Sequence, residues 1–73
     1  MINIEECSKG DVCWVLLPLV QKAPMYGTIS DIYKLENAIQ VLTLNYGIRV
    51  VRIEDAFWSE IEAKKVKKKK KKN

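Results

Sequence analysis

The sequence predicts an all-β fold: a small five-stranded barrel, a short C-terminal helix and a disordered lysine-rich tail. Three observations predict it. From Gly27 to Ile53, β-branched and aromatic residues come in runs separated by polar turn residues, as a pleated, half-buried surface requires. Apolar residues make up 48% of the chain, enough for a compact core. With 73 residues there is room for one domain, and a chain this short hides only about 60% of its unfolded surface, which leaves no room for a deep catalytic cleft.

In order along the chain, Met1 to Glu6 places Ile2 and Ile4 at strand spacing and reads as an edge strand or an arm lying over the barrel. Ser8-Lys9-Gly10-Asp11 is a turn that launches a first strand, Val12 to Leu17. That strand is apolar on both faces, which predicts cover on two sides. Pro18 ends its ladder. Leu19 to Tyr26 is expected to be an irregular loop, with Met25 and Tyr26 exposed as partner contacts, although Leu19, Val20 and Met25 can also serve to plug the end of the barrel.

Thr28 to Tyr33 follows Gly27 as a second strand, and polar Lys34 to Asn37 interrupts it. Ala38 to Leu44 is a third, with Ile39, Val41 and Thr43 on one face and Ala38, Gln40, Leu42 and Leu44 on the other. Asn45-Tyr46-Gly47 supplies residues that tolerate positive φ, and the chain returns through Ile48 to Ile53. Glu54 to Ala56 is a tight turn into a last short strand at Phe57-Trp58. Ser59 and Glu62 have the spacing of a capping box, so a helix should start there, supported by an i,i+4 pair between Glu60 and Lys64.

The chemistry this composition excludes is as informative as what it allows. There is no histidine, which removes the commonest general base and the usual partner of a nucleophilic Ser or Cys. Cys7 and Cys13 alone cannot complete a tetrahedral zinc set, and they read as free thiols of a reducing compartment. No catalytic residues, metal or cofactor are expected. No apolar run approaches the roughly 20 residues of a membrane span, and the start lacks the pattern of a secretory signal, so the expected place is the cytoplasm.

Charge divides the chain into two parts, residues 1–63 with the barrel and the helix start, and residues 64–73 as a tail. The first carries five basic residues against nine acids, a net of −4, and the second carries eight lysines and no acid, a net of +8. Lys64, Lys65, Lys67, Lys68, Lys69, Lys70, Lys71 and Lys72 would release counterions on meeting DNA or RNA, giving non-specific, salt-steep affinity. Arg49 and Arg52 are the basic residues of the last hairpin strand. Their spacing of three puts them on opposite faces unless a bulge intervenes. Tyr26, Tyr46 and Trp58, with Met25, are the candidate contacts to a protein partner.

The pattern resembles the SH3-like small barrels, in particular the KOW and Tudor-like branches. The residues that carry the resemblance are Lys9-Gly10-Asp11-Val12, Gly27-Thr28-Ile29-Ser30-Asp31-Ile32, Ile39-Gln40-Val41, Gly47, Val51 with Ile53, and Phe57. It implies a strongly bent five-stranded barrel that binds RNA, DNA or protein tails. In composition the chain also resembles small phage-encoded modulators of host proteins. Two readings follow. One is a non-enzymatic module anchored to nucleic acid by its lysines while the barrel contacts nucleic acid or a neighbouring protein. The other is an interaction module or inhibitor of a larger complex, with a tail that only solubilises. Open sheet edges leave an oligomer open.

Overall fold

In a computed structural model that describes residues 2–65, the alternation along the chain becomes one antiparallel sheet. Its strands are β1 (Val12–Val15), β2 (Met25–Tyr33), β3 (Ala38–Thr43), β4 (Gly47–Arg52) and β5 (Ala56–Phe57), in the order β4-β3-β2-β1-β5. β1 to β4 form a continuous meander. A 3-10 turn, Ile53–Asp55, then carries the chain back to pair β5 with β1. Residues 60–65 are helical, and among the described residues no helix is long and apolar enough to cross a membrane.

Register explains which residues reach the core. Cys13 and Val15 of β1, Met25 and Ile29 of β2, Ile39 and Val41 of β3 and Val51 of β4 share one face and pack together. Each β-branched or longer aliphatic side chain fully buried this way contributes about 1.5–3 kcal/mol over leaving it exposed. The β2–β3 register slips between Ile29 and Asp31, with Ser30 as the extra residue. This bulge lets Ile29 and Ile32, three positions apart, both pack on the core. Gln40 Nε2 donates to Ser30 Oγ, and Ser30 Oγ in turn donates to the Gln40 carbonyl, so the irregularity is held by side-chain bonds.

The core face is sealed from three directions. Ile2 and Ile4 lie over it as an arm, Leu17 and Val20 fold onto it after β1, and Ile53 closes it after β4. Residues 2–6 therefore form the arm and not an edge strand: Ile4–Glu6 is a 3-10 turn capped by Asn3, whose Oδ1 accepts from the Glu5 amide at 3.0 Å.

β1 is apolar on both faces: its inner face lies in the core, and its outer face is covered beyond Val12, which stays exposed. Trp14 and Leu16 point away from the main core and meet Phe57 and Ala63, the latter on the helix. The Ser59 hydroxyl accepts from the Glu62 amide at 3.3 Å, and Lys64 Nζ stands 3.7 Å from Glu60, as the capping and charge patterns predict.

Three local expectations are corrected. β2 begins at Met25 and not after Gly27, so the irregular segment is shorter than expected. Met25 is 2% exposed and belongs to the core, which removes it as a partner contact, while Leu19 is fully exposed instead of plugging the fold. In the β3–β4 turn Gly47 takes the positive φ, at 71°, that its type allows. Asn37, in the turn after β2, is the non-glycine residue that adopts it, at 55°.

Candidate interaction surface

The same alternation that fills the core projects a second set of side chains to the other face of the sheet. Val12, Thr28, Leu42 and Ile48 stand in register across β1 to β4 as one row. Val50 lies beside this row opposite Gln40, and Tyr26 and Leu44 continue it through the bond from the Leu44 amide to the Tyr26 carbonyl. Leu42 is 52% exposed, Ile48 60%, Val50 61% and Leu44 75%. A solvent-facing side of an antiparallel sheet normally carries polar residues, so a contiguous aliphatic patch sets this face apart among the described residues.

Gly27, paired with buried Cys13 and Thr43 on the core side, lets β2 and β3 approach closely: a Cβ there would meet the Leu42 carbonyl oxygen at 2.9 Å and the Val41 side chain. On the outer face a shallow depression is lined by Tyr26, Thr28, Leu42 and Leu44. At its margin Trp14 and Tyr26 meet edge-to-face, with ring centroids 5.3 Å apart and planes at 64°. Further along, Tyr33 donates its hydroxyl to Gln40 Oε1 at 3.0 Å, which orders the polar end of the face.

The electrostatics of this face differ from those of the body as a whole. Asp31 is the one acid among its outward positions on β1 to β4, and Lys9 Nζ lies 4.0 Å from it. The other acids sit in turns, in the 3-10 segments and on the helix. The helix packs Ala63 against Leu16 and Phe57, beside Trp14, so the lysine run starts next to the outer face with exposed Lys64 and Lys65. Lys67, Lys68, Lys69, Lys70, Lys71 and Lys72 lie outside the described residues.

The remaining sequence-predicted contacts are scattered. Tyr26 is on the outer face, Tyr46 is exposed in the β3–β4 turn, and Trp58 is exposed after β5. The Trp14–Tyr26 pair is the ring contact among the described residues. Arg49 opposes Val41 and Arg52 opposes Ala38 in an unbroken register, which puts the two arginines on opposite faces of β4. The aliphatic row was missed by sequence reasoning, though its signal was there: Leu42, Leu44, Ile48 and Val50 occupy positions where a half-exposed strand carries polar residues.

Both thiols are free. Burial pushes the Cys13 thiol up to about 11, with smaller contributions from Cys7 and Asp11, and burial also raises Cys7, helped by Asp11 and Glu6. Neither is an activated nucleophile, because activation requires a lowered pKa. Among the described residues no group of three or more His, Cys, Asp or Glu side chains could hold a metal ion. No family model matches the chain, and no curated protein or solved structure matches it.

Proposed function

We propose that the chain is a non-enzymatic binding module that docks onto another protein through the outer face of its sheet. The observation that carries this reading is the aliphatic row Val12, Leu42 and Ile48, with Val50 and Leu44 beside it, exposed in register on neighbouring strands. Burying such side chains drives association, and a patch poor in charge at its centre is what interface cores share. The SH3-like arrangement goes with this reading. Its support is the consecutive meander of β1 to β4, followed by a 3-10 turn that returns β5 to β1. A fold-level analogy of this kind leaves the partner to be decided by the site. Two free cysteines support a reducing compartment such as the cytoplasm.

A second reading, association with DNA or RNA, is favoured by a separate observation. Eight lysines follow Ala63, and the helix anchors the start of that run beside a face whose single strand-borne acid already stands near Lys9. Phosphate attraction by the lysines would supply the affinity and Tyr26 at the face an aromatic contact.

The test separates the two. The chain and its Leu42→Asp/Ile48→Asp variant are used to capture partners from nuclease-treated lysate, and labelled RNA and DNA are titrated at two salt concentrations. A stoichiometric protein captured by the parent and lost in the variant supports docking through the face. Capture unchanged by the variant overturns it. Absence of nucleic-acid binding at low salt removes the second reading.

A further inference from the structure

The two edges of the sheet are treated differently. The β5 edge is only two residues long, and the arm covers it: the Ile2 amide donates to the Ala56 carbonyl at 3.1 Å. β4, the other edge, runs for six residues, pairs among the described residues only with β3, and has neither a proline nor a bulge in its register. Regular, uncovered edges of this length are templates for a further strand, and proteins ordinarily blunt them.

What lies beside β4 is a groove and not a cover. An open cleft of about 360 Å³ runs between residues 49–52 and the turn that follows β1, with Leu16, Leu17, Leu19 and Val20 as its far wall. Leu17 and Val20 are held in place by packing on the core, so the wall is preformed. Asp55 stands at one end of the groove and is itself engaged within the chain.

Charge then selects the occupant. Lys9, Lys34 and Lys64 each have an acid within 4.0 Å, 3.5 Å and 3.7 Å, whereas Arg49 and Arg52 have no acidic partner among the described residues. They bracket Val50 and Val51 and project to opposite faces, Arg49 with Val51 and Arg52 with Val50. A strand laid along this edge meets, residue by residue, a cation, an outward apolar side chain, a groove-side apolar side chain and a second cation.

We propose that the β4 edge binds an extended peptide segment of a partner protein with the pattern acid, apolar, apolar, acid. Main-chain hydrogen bonds to β4 give the affinity, and the two carboxylates at Arg49 and Arg52 set the register. One apolar side chain of the segment enters the groove against Leu17 and Val20, and the next extends the outer face beside Val50. A second copy of this chain is disfavoured by the same charges, because pairing β4 with β4 crowds four arginines along one seam. This site meets the outer face proposed above only at Val50 and stands without that docking.

The experiment uses the full chain, isotopically labelled, and a synthetic peptide of eleven residues with Glu-Val-Val-Glu at its centre between Thr/Gly flanks. The controls are a Lys-Val-Val-Lys peptide and a Glu-Val-Val-Glu peptide with both valines N-methylated. Saturable binding is expected, with alternate amides of Gly47–Arg52 gaining protection from exchange. The lysine-centred and N-methylated peptides should bind at least tenfold more weakly. Arg49→Glu/Arg52→Glu, which removes no ion pair among the described residues and leaves the lysine run intact, should reverse the preference between the two charged peptides, with an unchanged thermal midpoint as the folding control. Leu42→Asp should leave peptide binding as it is while abolishing outer-face docking. Affinity for the acidic peptide that survives the arginine reversal assigns binding to the lysine run and overturns the proposal. So do equal binding by the N-methylated peptide, and β4 amides protected without peptide in a chain that sediments as a dimer.

Discussion

The two faces of the sheet are built from the same strands and nearly the same residues, yet one is a core and the other is a surface. On β3, Ile39 and Val41 are fully buried while Leu42 between them and the turn is half exposed; on β4, Val51 is buried while Ile48 and Val50 are open. Side-chain chemistry does not distinguish the two sets. What distinguishes them is what the rest of the chain lays on top. The arm with Ile2 and Ile4, the turn with Leu17 and Val20, and Ile53 all fall on one side. The helix covers the other side only at Trp14, Leu16 and Phe57. The lesson is that an apolar strand face is a core only where cover exists, and a stretch left uncovered is available to a partner.

The sharpest way to break this comparison is to truncate equivalent side chains on each face. Ile39→Ala should cost about 2–5 kcal/mol in urea unfolding, because it opens a cavity in a sealed layer. Ile48→Ala should stay within about 0.5 kcal/mol, as surface changes do. Equal losses at the two positions would mean that the outer face is covered in solution, and concentration-dependent unfolding would identify self-association as the cover.

Gly27→Ala comes next, at about 1–3 kcal/mol, since the added methyl meets backbone and a core valine that cannot both retreat. It tests whether the close β2–β3 approach shapes both faces at once. Ser59→Ala should cost about 1 kcal/mol by leaving the Glu62 amide without its hydroxyl acceptor, and tryptophan fluorescence should report the loosened contact at Trp14.

A further test of the sealed face is the pH dependence from Cys13. In the unfolded chain its thiol ionises near 9.0, and in the folded chain burial holds the proton to about 11. Below pH 9 the thiol is neutral in both states and contributes no slope. Between 9 and 11 the folded state binds more protons than the unfolded state, so stability falls as pH rises. Unfolding free energies measured across that window should decline for the parent, and the part of the decline due to this thiol should vanish in Cys13→Ala. A thiol-specific reagent at pH 8 should modify half-buried Cys7 before Cys13.

Much of the fold was legible because short-range rules carried it. The alternation of Ala38 to Leu44, the turns at Lys34 to Asn37 and at Gly47, and the Ser59 cap with the Glu60–Lys64 pair all appear where local chemistry places them. The opposed faces of Arg49 and Arg52 followed from the period of two alone. Met25 was misjudged because its neighbours Lys22 and Pro24 read as a loop, and only pairing with Val15 makes it the first residue of a strand. Of the candidate site, Tyr26 was expected to be exposed and is, while the aliphatic row was passed over because apolar residues in a strand are taken for core by default.

By itself, the sequence determined the all-β class, the number and rough limits of the strands, the helix start and the separation of a mildly acidic body from a lysine run. Each of these depends on residues within a few positions of one another. Only the tertiary structure decided which face of each strand is covered, that among the described residues the arm protects β5 while β4 stays open, and that Arg49 and Arg52, without an acidic partner among those residues, flank a groove. Those outcomes depend on pairings between segments far apart in the chain, such as Ile2 with Ala56 and Leu17 to Val20 beside β4, and no local pattern encodes which surface a distant segment will cover.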